Sequence, residues 1–386
     1  MSGARRRPAP RRARPRAERG ETRVGLEVEV RVGPIAHGGF AVARHEGRAV
    51  FVRHALPGEL VRARVTEGGA EDRFWRADAV AVLEPAPDGG AHRVTPPCPA
   101  AGPGGCGGCD FQHVTPAHQR ELKAEVVREQ LRRLAGREVD VVVEAVPGDV
   151  DGLGWRTRQR YAVLPDGRRA MKRHRSSDLV PVEHCLLEAP PEVAQQARVV
   201  HGRAFATAPD GFWQVHPGAP EALVDAVLSA LEPQPGESVL DLYAGVGLFA
   251  RFVGERTGAA VTTVEGDAAA APFARTNLAD LPGPVDVVTA DVLAHLRGDA
   301  GPGPVDLVVL DPPRVGAKKA VVEQIAARTP RAIAYVACDP AALARDVALF
   351  AELGYDLTGL RAFDLFPMTH HVECVAVLTP TGTGAG

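Results

Sequence analysis

The chain has 386 residues, 45% of them hydrophobic, with 45 basic side chains against 48 acidic ones and a net charge of -3. That length and apolar content can fill two or three domain cores, and the near-neutral balance argues against a uniformly basic nucleic-acid binder. No run of about 18 apolar residues occurs and the amino terminus lacks an apolar core, so neither a spanning helix nor a secretory signal is read, and a cytoplasmic location is expected.

In chain order, the first element is a basic tail, residues 1–21, with eight Arg and one Glu in MSGARRRPAPRRARPRAERG. It could touch RNA or simply be solvated. From Val24 to Leu83 come short alternating segments, GLEVEVRV, FAVAR, RAVFVR, ELVRARVT and WRADAVAVLEP, separated by Gly, His and Pro turns. This predicts a small β-barrel over residues 22–83. The Pro-rich stretch EPAPDGGAHRVTPP then reads as a linker.

Residues 84–200 form a central α+β region. It holds Cys98, Cys106 and Cys109 in CPAAGPGGCGGC, a helix in PAHQRELKAEVVREQLRRLAG, strand-like segments around RQRYAVLPDG, and Cys185. In a reducing compartment such cysteines are metal ligands or catalytic groups before they are disulfides. Four thiolates suit tetrahedral zinc or a [4Fe-4S] cluster, and spacing does not separate the two.

Residues 201–380 alternate regularly: helix EALVDAVLSAL, strand SVLDLYAG, strand AVTTVEG, strand PVDVVTAD, strand VDLVVLDPP, strand AIAYVACD and helix PAALARDVALFAELG, with helices between the strands. Strands separated by helices mean a Rossmann-like α/β domain with a parallel sheet and ligands at the strands' carboxyl ends. A closing pair, DLTGLRAFD and HVECVAVL, is expected as a hairpin at one sheet edge, followed by a tail, residues 381–386.

Gly245, Gly247 and Ala250 in DLYAGVGLFA satisfy a loose dinucleotide-binding pattern, with Glu265 placed to accept ribose hydroxyls. NAD and S-adenosylmethionine both use that layout. Asp241, Asp291 and Asp311 at or near three strand ends favour the cationic sulfonium ligand, since carboxylates would repel a pyrophosphate. Asp311 opens LDPPR, where two prolines restrict the backbone.

Cys338 ends the next strand, with Asp339 as expected N-cap and Pro340 at the first helical position, and the helix's positive end is expected to lower the thiol pKa. Such a thiol can add to C6 of a pyrimidine and make C5 a nucleophile towards a methyl donor. Glu373, a carboxylate in an otherwise apolar strand, would then remove the C5 proton, its pKa raised by burial.

Together DLYAGVGLF, LDPPRVG, YVACDPAALARD, FPMTHHVE and FWQVHP resemble the RNA uridine-C5 methyltransferase family over nearly all the chain from about residue 24. The resemblance implies a class I S-adenosylmethionine-dependent enzyme with Cys338 as nucleophile and Glu373 as proton acceptor. Gln214, Tyr243, Glu265, Asp291 and Asp311 become the cofactor and site contacts, and Arg314 a helper near the pyrimidine. His216 departs from the family's more usual Asn. The barrel resembles a TRAM domain, an OB-like RNA-binding module, with Arg44, Arg48, Arg53, Arg62 and Arg64 supplying charge.

One branch of the family carries a [4Fe-4S] cluster, which assigns Cys98, Cys106, Cys109 and Cys185 as its ligands in preference to zinc, and leaves Cys374 to packing. Barrel and cluster together imply 23S rRNA as substrate ahead of tRNA, with the uridine flipped out of any stack, and a monomeric protein. The contrasting reading is a non-catalytic RNA-binding iron-sulfur protein.

Overall fold

The computed structural model describes residues 18–194, 198–298 and 303–382. The Arg-rich tail up to Ala17 and the last four residues of the carboxyl-terminal tail lie outside that range. The chain divides into two compact units, one running to Pro34 and from Phe40 to Gly90, the other comprising Ile35–Gly39 and everything from Ala91.

The amino-terminal stretch carries β1 (Glu27–Arg31), β2 (Ile35–Ala36), β3 (Phe40–His45), β4 (Arg48–Arg53), β5 (Leu60–Glu67) and β6 (Phe74–Glu84). Apart from β2, which belongs to the second unit, these strands pair in the order β1-β5-β6-β4-β3. Alternation buries Val28, Val30, Val61, Ala63 and Val65 on one face. On the other face the register sets Glu29 opposite Arg62 and Glu27 opposite Arg64, and both pairs close as ion pairs of 3.1 and 2.7 Å.

The second unit continues with α1 (Pro116–Ala135), β7 (Val143–Ala145), β8 (Ala162–Val163), β9 (Arg169–Lys172), β10 (Leu179–Pro181), α2 (Pro191–Ala194), β11 (Val199–Val200) and β12 (Arg203–Ala204). Then come α3 (Ala219–Leu231), β13 (Val239–Leu242), α4 (Leu248–Thr257), β14 (Val261–Glu265), α5 (Ala271–Leu278), β15 (Val285–Thr289), α6 (Val292–Arg297) and β16 (Leu307–Leu310). The chain closes with α7 (Lys318–Ala326), β17 (Ala332–Ala337), α8 (Pro340–Glu352), β18 (Tyr355–Asp364) and β19 (Glu373–Pro380).

Its main sheet has eight strands in the order β15-β14-β13-β16-β17-β19-β18-β7. β15 to β17 are mutually parallel and β19 runs against both β17 and β18. Strands β13, β16 and β17 are buried along their whole length, which is why they read as continuous apolar runs. Leu223, Val227, Ala250 and Val253 cover one face, while Val127, Leu131, Val322, Ile325, Leu343 and Val347 cover the other. Order reverses between β14 and β16 around β13, so the crevice beyond the carboxyl end of β13 is the expected ligand position.

The closing hairpin is present, but it is not the sheet edge. β7, drawn from the central region, pairs in parallel with the outer side of β18. Three residues of strand carry too little periodicity to be read from sequence.

Among the described residues, no helix is long and apolar enough to cross a membrane.

Candidate active site

The turn after β13 makes the ligand cradle. Gly245 and Gly247 take φ values of 56° and 85°, conformations glycine adopts without strain. At Gly245 an added Cβ would meet nothing within 4 Å, whereas at Gly247 it would press on Leu278 at 3.0 Å. The first glycine leaves open space for a ligand, and the second lets α5 pack close. Tyr243 is also left-handed at φ 62°, the kind of local strain that collects at functional turns.

Glu265, at the end of β14, accepts Gly245 N–H at 3.0 Å and Asp267 N–H at 2.5 Å, so its carboxylate is fixed beside the turn. Gln214, Tyr243, Gly245 and Asp311 line one cleft. Phe212 and Trp213 line it too, and Phe212 is 67% exposed. The motif FWQVHP pointed to Gln214 alone, although an exposed aromatic two residues before it is a usable signal for a stacked ring. Asp291 stands differently, as the N-cap of α6 accepting Ala294 N–H at 3.0 Å.

Two carboxyl groups in this region are held above the ordinary carboxylate range. Burial raises Asp241 from 3.8 to about 8, although its Oδ2 accepts Ala250 N–H at 2.9 Å. Asp311 is raised by burial and then by the neighbouring Glu265 charge. Among the described residues Asp311 has no cation within ion-pair distance. A half-buried carboxyl lacking a counter-charge fits a cationic ligand such as a sulfonium.

Cys338 follows β17 directly. The antiparallel register ends with Ala337 opposite Cys374, so Cys338 and Glu373, the residues adjoining that last pair, come near enough for the Glu373 charge to act on the thiol. Glu373 is only 4% exposed, and it is raised well above 4.5 by burial first and the Asp311 charge second. Cys374 is wholly buried, in the core between β17 and α8, as packing requires.

The thiol corrects the sequence expectation of a lowered pKa. Cys338 is pushed up to about 12, by burial first and then by the charges of Glu373, Asp311 and Asp339, with Arg314 opposing them. Asp339 does cap α8, accepting Ala342 N–H at 2.8 Å. That carboxylate opposes the helix's positive end and is one of the charges that disfavour a thiolate at Cys338. His37 reaches the other oxygen of Asp339 at 3.1 Å.

Arg314 is the cation of this centre. Its charge pulls both Cys338 and Glu373 towards their ionised forms, and its Nη2 donates to His371 Nε2 at 3.1 Å. Burial and the neighbouring His370 hold His371 down at about 3, so the imidazole is neutral and can accept. His216, the departure from the family pattern, lies elsewhere: it stacks on Trp155 at 5.9 Å and takes Gly218 N–H on Nδ1.

The four cysteines converge. Cys98, Cys106, Cys109 and Cys185 line one small cavity together with Gln112 and Arg156. Gln112 binds Cys98 N–H at 3.0 Å and donates to Cys109 Sγ at 3.1 Å. Burial lifts Cys109 to about 12, with Cys185 and Cys106 adding to the rise. Thiols crowded in this way are a donor set that a soft metal would ionise and hold. The loop is also tied to the β18–β19 hairpin: Asp110 and Phe111 N–H both donate to Met368 O, and Asp110 Oδ2 takes His370 N–H at 3.1 Å and faces His370 Nδ1 at 2.6 Å.

A glycine-rich turn at the switch point of a parallel sheet, beside an uncompensated acid and a cysteine facing a carboxyl, defines a class I S-adenosylmethionine-dependent methyltransferase, here accompanied by a small β-barrel. Comparison with known proteins narrows that class. Residues 21–80 match the TRAM domain, residues 222–334 the methyltransferase small domain and residues 304–381 the tRNA (uracil-5-)-methyltransferase family.

An uncharacterized RNA methyltransferase of Streptomyces avermitilis is 44% identical, the alignment covering 94% of this chain and 100% of that one. The 23S rRNA (uracil(1939)-C(5))-methyltransferase RlmD of a Shewanella species is 31% identical over 88% of this chain and 93% of its own. In fold, the chain is similar to the Pyrococcus abyssi tRNA (uracil-54, C5)-methyltransferase, solved with S-adenosyl-L-homocysteine, at a TM-score of 0.64 and 21% identity, over 91% of this chain and 99% of that one. The chain belongs to the RNA uracil-C5 methyltransferase family.

Proposed function

We propose that the protein methylates C5 of a uridine in 23S rRNA, with Cys338 as nucleophile and Glu373 as base. The observation that carries this reading is the end of the β17–β19 ladder, where the Cys338 thiol lies within reach of the charges of the buried Glu373 and of Asp311. Cys338 Sγ adds to C6 of the flipped base as its proton leaves to solvent, and the C5–C6 π pair becomes an enolate over C5 and O4. S-adenosylmethionine, when bound by Gln214, Tyr243, Gly245, Gly247, Glu265, Asp291 and Asp311, supplies the electrophilic methyl group that C5 takes. The Glu373 carboxylate then removes the C5 proton, the C5–C6 double bond re-forms and the Cys338 thiolate is expelled.

A thiol held at about 12 is not a preformed thiolate. Arg314 favours the ionised forms of both reacting groups, and closure of a base over the site would strengthen that attraction by excluding water. The reading also assigns a [4Fe-4S] cluster to Cys98, Cys106, Cys109 and Cys185, supported by their shared cavity. No redox step is required of it, so its contribution is to hold the loop that carries Asp110.

RNA containing 5-fluorouridine tests the chemistry, because fluorine at C5 blocks proton removal. Wild type should form a methylated covalent adduct, and Cys338→Ala should form none; an equal adduct from the variant removes Cys338 from this role. Mapping 5-methyluridine in rRNA and tRNA from cells lacking the gene decides the substrate, since a site lost from tRNA alone contradicts the rRNA assignment.

A further inference from the structure

The arginines expected to give the barrel its charge are mostly committed within it. Arg62 and Arg64 pair with Glu29 and Glu27 across strands, and Arg53 faces Asp78 at 4.0 Å. Arg48 donates to Ala70 O while lying over the Trp75 ring, and Arg44 donates to Gly47 O. The three carboxylate pairs of Arg53, Arg62 and Arg64 cancel much of the field those cations would offer a polyanion, while Arg44 and Arg48 keep their charge.

The central region is the opposite case. Between Arg156 and Arg175 there are seven Arg and Lys172 against Asp166 alone, within a chain whose net charge is -3. Asp166 is taken by Arg168 at 2.7 Å. The β8–β9 hairpin folds this segment so that Arg160, Lys172, Arg173 and Arg175 line one open groove, and all four are exposed. Among the described residues no acidic side chain lies within ion-pair distance of Arg160, Lys172 or Arg173.

The groove floor is the thiol loop itself. Gly107 and Gly108 line it, Gly107 N–H donates to Lys172 O at 2.9 Å, and Cys106 bridges to Arg173. Two glycines keep the floor free of side chains, so a backbone with bulky phosphates can approach while long cationic arms reach from the strand. Arg169 lies over one face of Tyr161 at 5.0 Å, so charge is the groove's main means of recognition.

We propose that the phosphates of the substrate RNA are gripped in this groove, by Arg160, Lys172 and Arg173 over the thiol loop. The inference rests on the RNA-methylating function proposed above and adds where the strand is held. It makes the grip independent of base identity, because the groove offers charge and no shaped hydrogen-bonding pocket. It also couples the grip to the metal-ligand loop, which forms its floor.

The test is fluorescence anisotropy of a labelled uridine-containing single-stranded RNA, titrated with full-length protein across a series of KCl concentrations. In Arg160→Ala/Lys172→Ala/Arg173→Ala, affinity should drop about tenfold or more and the slope of log Kd against log [KCl] should flatten by about 2, at ~0.7 per phosphate contact on a single strand. KM for RNA should rise while kcat at saturating RNA holds. Arg62→Ala/Arg64→Ala should keep the wild-type slope, and Arg160→Lys/Arg173→Lys should retain most of it, as point charges on phosphate would. Metal content and S-adenosyl-L-homocysteine affinity equal to wild type establish that the triple variant is folded.

A triple variant with the wild-type salt slope overturns the groove, as does a barrel variant that loses the slope in its place. Wild-type protein that binds with this slope yet methylates no RNA would sink the proposed function and leave the groove standing.

Discussion

Burial raises Asp241 from 3.8 to about 8, so the folded protein retains a proton that the unfolded chain gives up. Its contribution to stability is therefore complete below about pH 4 and is lost as pH rises through about 8. Ligand-free wild type should lose melting temperature over that window, and Asp241→Asn, which keeps an acceptor for Ala250 N–H, should flatten the loss; parallel curves for the two proteins would remove Asp241 as the cause. Glu373 is raised for the same physical reason and must be ionised to act. Release of product should speed up as pH rises above the ordinary glutamate range, and Glu373→Gln should accumulate a covalent adduct with ordinary uridine RNA, visible as a shifted band on a denaturing gel. A Glu373→Gln enzyme that turns over without such a band contradicts the base assignment. At this scale Cys338 and Glu373 stand out in the sequence as candidates, because a thiol at a strand end and a carboxylate in an apolar strand are both anomalies of pattern. The sign of the thiol's shift was not legible there, since Glu373, Asp311 and the capping Asp339 meet only after folding.

Helix α1 shows what pattern conveys about an element and what it hides. Leu122, Val126 and Leu131 are buried as their spacing implies. Gln119 and Lys123, which look like solvent-facing residues, are buried just as deeply. Gln119 accepts Met368 N–H at 2.8 Å and donates to Val114 O, while Lys123 Nζ lies 2.5 Å from Asp364 and also donates to Phe366 O. These contacts fix the two ends of the 364–368 segment that leads into β19. Removing one partner of a buried ion pair strands the other, so Lys123→Met should cost about 3–5 kcal/mol in denaturant unfolding. Lys123→Met/Asp364→Asn should recover part of that cost. A single variant within about 0.5 kcal/mol of wild type would show that the pair is not holding the hairpin. The partner of Lys123 is 241 residues away in sequence, and no local pattern carries that distance.

Across the whole second unit, the thiol loop and the β18–β19 hairpin are one connected structure. Asp110, next to Cys109, binds His370, and His371 beyond it accepts from Arg314. Under the proposed function, Asp110→Ala should match wild type in metal content yet lower kcat by ~10- to 100-fold, because small displacements of reacting groups are costly, whereas Asp110→Asn keeps an acceptor for His370 N–H and should retain more activity. Unchanged kcat in Asp110→Ala would disconnect the loop from the chemistry. The sequence by itself determined the β/α alternation, the barrel, the glycine turn, the four-thiol set and the candidate pair Cys338 and Glu373, because each is written in local periodicity or in residue types that cost free energy unless they serve a purpose. Tertiary structure alone decided which strands are neighbours, that β7 and not the final hairpin forms the sheet edge, that Arg53, Arg62 and Arg64 of the barrel face carboxylates across strands while Arg160, Lys172 and Arg173 of the central region face solvent, and that Cys338 rests as a thiol. Those outcomes depend on charges and hydrogen bonds between residues tens to hundreds of positions apart, whose energies exist only at the distances folding creates.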